Sequence, residues 1–333
     1  VLAIGSFFLA YLSWRYIETP FRNNRGLGRA NVLFFSYVGL LLFASFGILG
    51  HKHEGFALQR YDKGYLIRTD IDFMRSKRYS ELGDVNLSPT WVLLGDSHAD
   101  SLQEAFSQML TRHNKSALVL TKAGCPPALN LWRHDMKYDL KCHNTNKSAI
   151  DIIKREGIQN ALISARFALY MNSNRFNNTL GGIEKGQTES VIFDHIDYKN
   201  VVRARSKRAH SIENEIVSYV RNLSSEGLNV YIFKSLPEFG WNVPKRLLAL
   251  QRTSIPRMAY DERVKSLELL YTRLLEIKNV SLLSAEDFFC DERECFPVLD
   301  GVPLIYDSNH PSKFGADNLL RHFESNLMKH DNE

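Results

Sequence analysis

Cysteine is scarce in this chain. Its 333 residues hold four, and no two form a Cys-x-x-Cys array, so a cysteine zinc site is not indicated. His134, Asp135, Asp139 and His143 are scattered without ligand spacing, and no metal is expected. No internal repeat recurs, which sets aside solenoids and propellers. Neither sign of charge dominates: 42 Lys and Arg against 37 Asp and Glu leave a net +5, and clusters of that size are ordinary solvated faces, so nucleic acid is not a predicted partner. With 44% apolar and 24% charged residues the chain buries a core, and it is longer than one compact domain usually needs.

Long hydrophobic runs are few, and both lie at the N-terminus. Val1 to Trp14 carries no charge, and Val32 to Leu49 holds 18 uncharged residues, close to the roughly 20 that span a bilayer. The first run opens without Met and is too short to span. It reads as the cut end of a longer helix, which makes the chain part of a larger membrane protein. No basic stretch precedes it, so a signal peptide fits poorly. Between the runs Arg15, Arg22, Arg25 and Arg29 face one acid, Glu18, which predicts a cytoplasmic loop. Everything after His51 then lies on the opposite side. All-round apolarity, length and the basic flank favour a span over a buried core helix for Val32–Leu49. The cysteines fall as local pairs, and in an extracytoplasmic compartment the disulfides Cys125–Cys142 and Cys290–Cys295 are natural. Four reduced, buried cysteines are the cytosolic alternative.

Residues 51–88 are polar and mixed and read as a connector. Beyond them strand and helix alternate. Short apolar strands at Trp91–Leu94, Ala117–Thr121, Ala161–Ser164, Asn229–Lys234 and Val280–Leu283 are interleaved with helices at Ala99–Arg112, Lys147–Glu156, Glu213–Ser225, Glu262–Ile277 and Ser312–Met328. This predicts an α/β fold with a five-stranded parallel sheet covered on both faces. Gly157 and Gly227 stand where helices end. Two insertions, 171–212 and 238–260, are either binding loops or surface decoration.

The chemistry gathers at two places. Gly95-Asp96-Ser97-His98 follows the first strand, where open α/β sheets carry their sites. Asp307-Ser308-Asn309-His310 precedes the last helix. A serine hydroxyl is a poor nucleophile until a base takes its proton. His310 is the candidate base and Asp307 the carboxylate that orients it. Ser97 also opens a helix, whose free amides steady an oxyanion, and Gly124 after the second strand is placed to add another. A plain helix cap is the competing role for Ser97.

These motifs, with Lys122-Ala123-Gly124-Cys125-Pro126-Pro127 between them, resemble the SGNH/GDSL serine esterase superfamily. The tail Trp14-Arg15-Tyr16-Ile17-Glu18-Thr19-Pro20-Phe21-Arg22 is similar to the end of the membrane domain in fused acyltransferase-3/SGNH proteins, a family that includes bacterial O-antigen O-acetyltransferases of the Salmonella type. The resemblance implies a three-layer α/β/α SGNH-hydrolase-like domain over 89–330. Before it come the end of an acyltransferase-3 transmembrane helix (1–17), a cytoplasmic loop (18–31), a transmembrane helix (32–50) and a periplasmic connector (51–88).

The resemblance further implies Ser97 as nucleophile, His310 as base, Asp307 as orienter, and Ser97 and Gly124 as oxyanion donors. Where the superfamily places a Gly-x-Asn-Asp block, this chain has Ser164-Ala165-Arg166-Phe167-Ala168-Leu169-Tyr170, which looks like a variant of the fused proteins. Arg166 then either replaces Asn as oxyanion donor or binds substrate. His98, Tyr170 and Trp241 are candidate substrate contacts, with packing as their ordinary alternative. The implied activity is O-acetyl transfer to a sugar hydroxyl of a surface polysaccharide, with lipopolysaccharide O-antigen the expected acceptor. The same triad would serve a periplasmic carbohydrate esterase. No cofactor is expected in this domain. Acetyl-CoA is the implied ultimate donor, acting through the acyltransferase-3 membrane domain of the same chain.

Overall fold

The computed structural model describes residues 2–19, 29–52, 80–129, 131–132, 141–184, 192–193 and 205–329. The chain forms two units, Val1–Asp62 and Lys63–Glu333. In the first, helix α1 (Leu2–Ser13) runs on into one π-helical turn at Trp14–Glu18. Helix α2 (Arg29–Lys52) has 24 residues, about 36 Å at ~1.5 Å each, enough for the roughly 30 Å apolar core of a bilayer. Its segment Leu33–Gly50 has a mean hydropathy of 2.0, and Leu33 and Phe43 are 70% and 82% exposed. Arg22 and Arg25 of the expected basic loop, and most of the expected connector, lie outside the described residues.

The second unit is the expected three-layer α/β/α domain. The strands of its main sheet are β1 (Glu81–Gly83), β2 (Trp91–Gly95), β3 (Ser116–Thr121), β4 (Asn160–Ser164), β5 (Asn229–Phe233) and β6 (Val280–Leu283). The order is β1-β3-β2-β4-β5-β6. β3, β2, β4, β5 and β6 are the five parallel strands anticipated. β1 is an addition: it pairs antiparallel with β3, Leu82 opposite Ala117, and falls in the stretch read as connector. Three residues ending in glycine are too few to show strand alternation, so pattern alone could not find it.

The central strands β2 and β4 are buried along almost their whole length, as parallel strands covered on both sides must be. Trp91 and Leu93 face helices α4 (Gln103–Arg112) and α12 (Lys313–Leu327) through Phe106, Met109, Leu319 and Phe323. Val92 and Leu94 face the other side, with Ile153 of α5 (Lys141–Glu156), Ile216 and Val220 of α7 (Arg205–Ser225), and Leu270 and Leu274 of α10 (Glu268–Leu275). Between α4 and α5 the chain forms β3; α6 (Phe167–Asn172) follows β4, α8 (Val243–Leu248) and α9 (Arg257–Val264) precede α10, and the short α11 (Glu286–Phe289) follows β6. The helix expected over 262–277 is therefore two, joined by a 3₁₀ turn at Lys265–Leu267. Gly157 and Gly227 close α5 and α7 with φ of +66° and +89°, the left-handed conformation that ends helices.

Candidate active site

β2 ends at Gly95, opposite Thr121 on β3 and Ser164 on β4. Gly95 has φ +130°, and a Cβ there would lie 2.0 Å from the Ser164 carbonyl oxygen, so only glycine lets β2 turn at this point. Asp96 is buried and caps the short helix α3 (Ser97–Asp100). One carboxylate oxygen accepts the His98 amide at 2.8 Å; the other accepts the Arg166 amide at 2.9 Å and the Tyr170 hydroxyl at 2.5 Å. The turn below Ser97 is thus tied to the first residues after β4. Ser97 holds the first helical position, where the amide has no intrahelical acceptor.

The second half of the site is a closed loop. Ile305 bridges Pro311, and the Tyr306 amide donates to the His310 carbonyl at 3.0 Å. Ser312 caps α12, accepting from the Gly315 amide at 3.0 Å and donating to the Pro303 carbonyl at 2.7 Å. The second insertion braces the loop: the Phe239 and Val243 amides donate to the carbonyls of Ser308 and Asp307, each at 2.8 Å. Within it one Asp307 oxygen accepts the Asn309 and His310 amides, each at 2.9 Å.

The two halves meet at Ser97. Its Oγ lies 2.8 Å from His310 Nε2, and His310 Nδ1 lies 2.7 Å from the other Asp307 oxygen. The Tyr306 ring stacks on the imidazole, centroids 5.5 Å apart and planes at 17°. Burial pushes the Asp307 carboxyl up, but the His310 hydrogen bond and charge and the two loop amides outweigh it and hold the group well below the usual carboxylate range. It stays ionised at neutral pH and accepts from Nδ1–H, which leaves Nε2 to take a proton from Ser97.

The other expected residues fare differently. Gly124, with φ +73°, lies in the turn after β3, the strand beside β2, at the same sheet edge. Arg166 does not extend a donor from the β4 end: its guanidinium is buried and donates to Glu238 at 3.0 Å and to Glu184. Tyr170 is corrected from substrate contact to interior support, since it is 1% exposed and its hydroxyl is given to Asp96. His98 is likewise interior, 0% exposed, with Nε2 3.0 Å from Asn309 Oδ1. Trp241 is 8% exposed; Arg246 covers its ring with the guanidinium carbon 3.9 Å from the centroid, and its Nε1–H donates to the Thr253 carbonyl. The ring is packed and capped by a cation on one face instead of being presented to a sugar. Both disulfides form as paired, Cys125–Cys142 and Cys290–Cys295.

Sequence reading missed a buried charge cluster. Glu238 accepts from Arg166 and, at 3.0 Å, from Arg263; Glu184 accepts from Arg166 and, at 2.7 Å, from Arg175. Burial pushes Glu238 up, but the two arginines win and hold it at about 2. Also missed were Asn309, masked by its place between Asp and His, and Asn146 of α5. Asn146 donates to the carbonyls of Pro126 and Ala128 at 2.8 and 2.6 Å.

A parallel-sheet α/β/α domain with a serine in line with a His–Asp pair at the carboxyl edge is the architecture of the SGNH class. The family model described as "SGNH domain (fused to AT3 domains)" matches residues 67–325, and the chain belongs to that family. A comparison with curated protein sequences found no match. Among solved structures, the periplasmic domain of the lipopolysaccharide acetyltransferase of Salmonella ser. Paratyphi A is similar at TM-score 0.51 and 13% identity, over 85% of this chain and 96% of that one. A Bacteroides fragilis NCTC 9343 protein described as an acylhydrolase is similar at TM-score 0.41 and 11% identity, over 74% of this chain and 90% of its own. At such identity the Salmonella likeness establishes the fold. Family and fold together support an enzyme that transfers or hydrolyses acyl groups.

Proposed function

We propose that this domain is an O-acetyltransferase acting on a sugar hydroxyl of a cell-surface polysaccharide, with lipopolysaccharide O-antigen as the acceptor class. The observation that carries the reading is the unbroken relay Ser97–His310–Asp307, at 2.8 and 2.7 Å. Ser97 Oγ attacks the carbonyl carbon of an acetyl donor while His310 Nε2 takes its proton. The donor's acyl bond breaks, and the proton passes from His310 to the leaving group, giving acetyl-Ser97. A sugar hydroxyl then attacks that ester, His310 takes its proton, and Ser97 leaves with the proton restored. The Ser97 amide and the Gly124 turn face the developing oxyanion. The membrane domain of the same chain supplies the acetyl group, drawn from cytoplasmic acetyl-CoA. α2 anchors the domain to the inner membrane, and the domain lies in the periplasm.

Support for transfer over hydrolysis comes from the family, in which the domain is fused to a membrane acyltransferase. The test is Ser97→Ala in the full-length protein, which should abolish acetylation of the glycan; intact acetylation would sink the reading. Water and a sugar compete for the same acyl-enzyme. The purified domain given an acetyl ester with and without glycan therefore separates the two outcomes. Acceptor-dependent sugar acetate supports transfer, and acetate release indifferent to glycan supports an esterase.

A further inference from the structure

The nucleophile and the base arrive from opposite ends of the fold, 213 residues apart. Their immediate neighbours in sequence, His98 and Asn309, also meet. His98 Nε2 lies 3.0 Å from Asn309 Oδ1, and the two residues are 0% and 2% exposed. The direction of this bond is fixed locally. Asn309 Nδ2 donates to Ser308 Oγ at 2.8 Å, so its oxygen turns to His98, and His98 must carry its proton on Nε2. Nδ1 is then bare, and it is buried with no partner. The same His98 ring packs edge-on against the base, centroids 5.1 Å apart and planes at 67°. Its backbone amide is held by Asp96, the cap of the nucleophile's helix.

We infer that His98 and Asn309 are the positioning pair of this centre, a buried hydrogen bond that holds the Ser97 turn and the His310 loop at the separation where hydroxyl and imidazole meet. This rests on the reading of Ser97 as nucleophile. Both residues are closed to solvent, so a slip of one loop past the other leaves a buried donor and acceptor unpaired, and the pair resists the motion that would part Ser97 from His310. Neutrality belongs to the same design. Burial pulls the His98 imidazole below its ordinary value, and the neighbouring His310 adds to this, so no second cation stands beside the imidazolium that forms on His310 during acyl transfer. Neither side chain touches substrate; both act through the residue next door.

The test uses the full chain and 4-nitrophenyl acetate turnover. His98→Phe keeps the ring against His310 and removes the bond; Asn309→Leu removes the other half. Each should lower kcat by about tenfold or more with KM changed less than about twofold, the signature of a misplaced rather than unbound substrate. His98→Gln, which puts an amide N–H near Nε2, should recover most of the loss. The double variant His98→Phe/Asn309→Leu should be no worse than the poorer single one. In ¹⁵N spectra His98 should be neutral and protonated on Nε2 at pH 7, in a reading that needs no turnover and stands even if one variant fails to fold. A rise in KM with kcat unchanged, multiplying losses, no rescue by Gln, or an Nδ1-protonated ring would each overturn the pair. Full turnover in Ser97→Ala would instead count against the reading of the site itself.

Discussion

Ser97 differs from an ordinary serine at the first position of a helix by one contact, the 2.8 Å approach to His310. That contact is useful only while His310 keeps its proton on Nδ1, and Asp307 keeps it there. Asp307→Asn preserves shape but no longer demands that tautomer. Ester turnover should fall on the order of 10³–10⁴-fold, and the urea midpoint at pH 7.5 should fall too, since the stabilisation carried by the ionised carboxylate is lost. A loss under tenfold would remove Asp307 from the relay. Support beneath the nucleophile is a separate matter. Tyr170→Phe strips one donor from a buried Asp96 oxygen that then keeps only the Arg166 amide. The expected cost is about 1–3 kcal/mol in chemical denaturation, larger than its effect on KM. The relay was legible in sequence because its parts are chemically rare at strand and helix ends. Roles for His98, Tyr170 and Trp241 were not, since a histidine or aromatic side chain reads alike whether it faces a substrate or lies under the site. Only burial separates the two.

At the scale of elements, the turn that carries Gly124 depends on α5. Cys125, the next residue, is bonded to Cys142 in the first turn of α5. Asn146 of the same helix holds the carbonyls of Pro126 and Ala128, and the His143 ring lies 2.7 Å from the carbonyl of Leu129. Replacing Cys125 and Cys142 together by Ala opens a loop of 17 residues and should cost roughly 3 kcal/mol, against about 2 kcal/mol for the five-residue loop of Cys290 and Cys295. The first pair should also slow Ser97 labelling by a fluorophosphonate, and the second should not. Equal effects of the two on labelling would deny the turn a part in the site. The five parallel strands and the cysteine pairing were readable from short apolar runs and local spacing. β1 was too short for a pattern, and the cluster of Arg166, Arg175, Arg263, Glu184 and Glu238 joins residues whose separation in sequence gives no hint of contact.

For the molecule as a whole, the two units ask for different surroundings. α2 presents Leu33 and Phe43 outward along a segment long enough to cross a bilayer, while the domain buries its apolar residues on both faces of its sheet and fastens two loops with disulfides. The proposed placement, tethered to the membrane and outside the cytoplasm, would meet that demand and would expose the domain directly to the external pH. Two buried groups and the part-buried Asp307 make its stability fall with acid. His98 is held neutral, so below its ordinary value of about 6.5 the unfolded chain gains a proton that the folded one refuses, and stability drops as pH falls. Glu238, held at about 2 by Arg166 and Arg263, contributes fully above about 4.5 and loses its contribution as pH falls through about 2. Asp307 acts in the same sense over the carboxylate range. The urea midpoint of the domain should therefore be flat above pH 7, begin to fall between pH 6.5 and 5, and fall further below 4.5. A midpoint unchanged from pH 7.5 to 5 would contradict a neutral, buried His98. His98→Gln keeps a donor for Asn309 but cannot titrate, so it should remove the upper part of the slope and leave the carboxylate part in place.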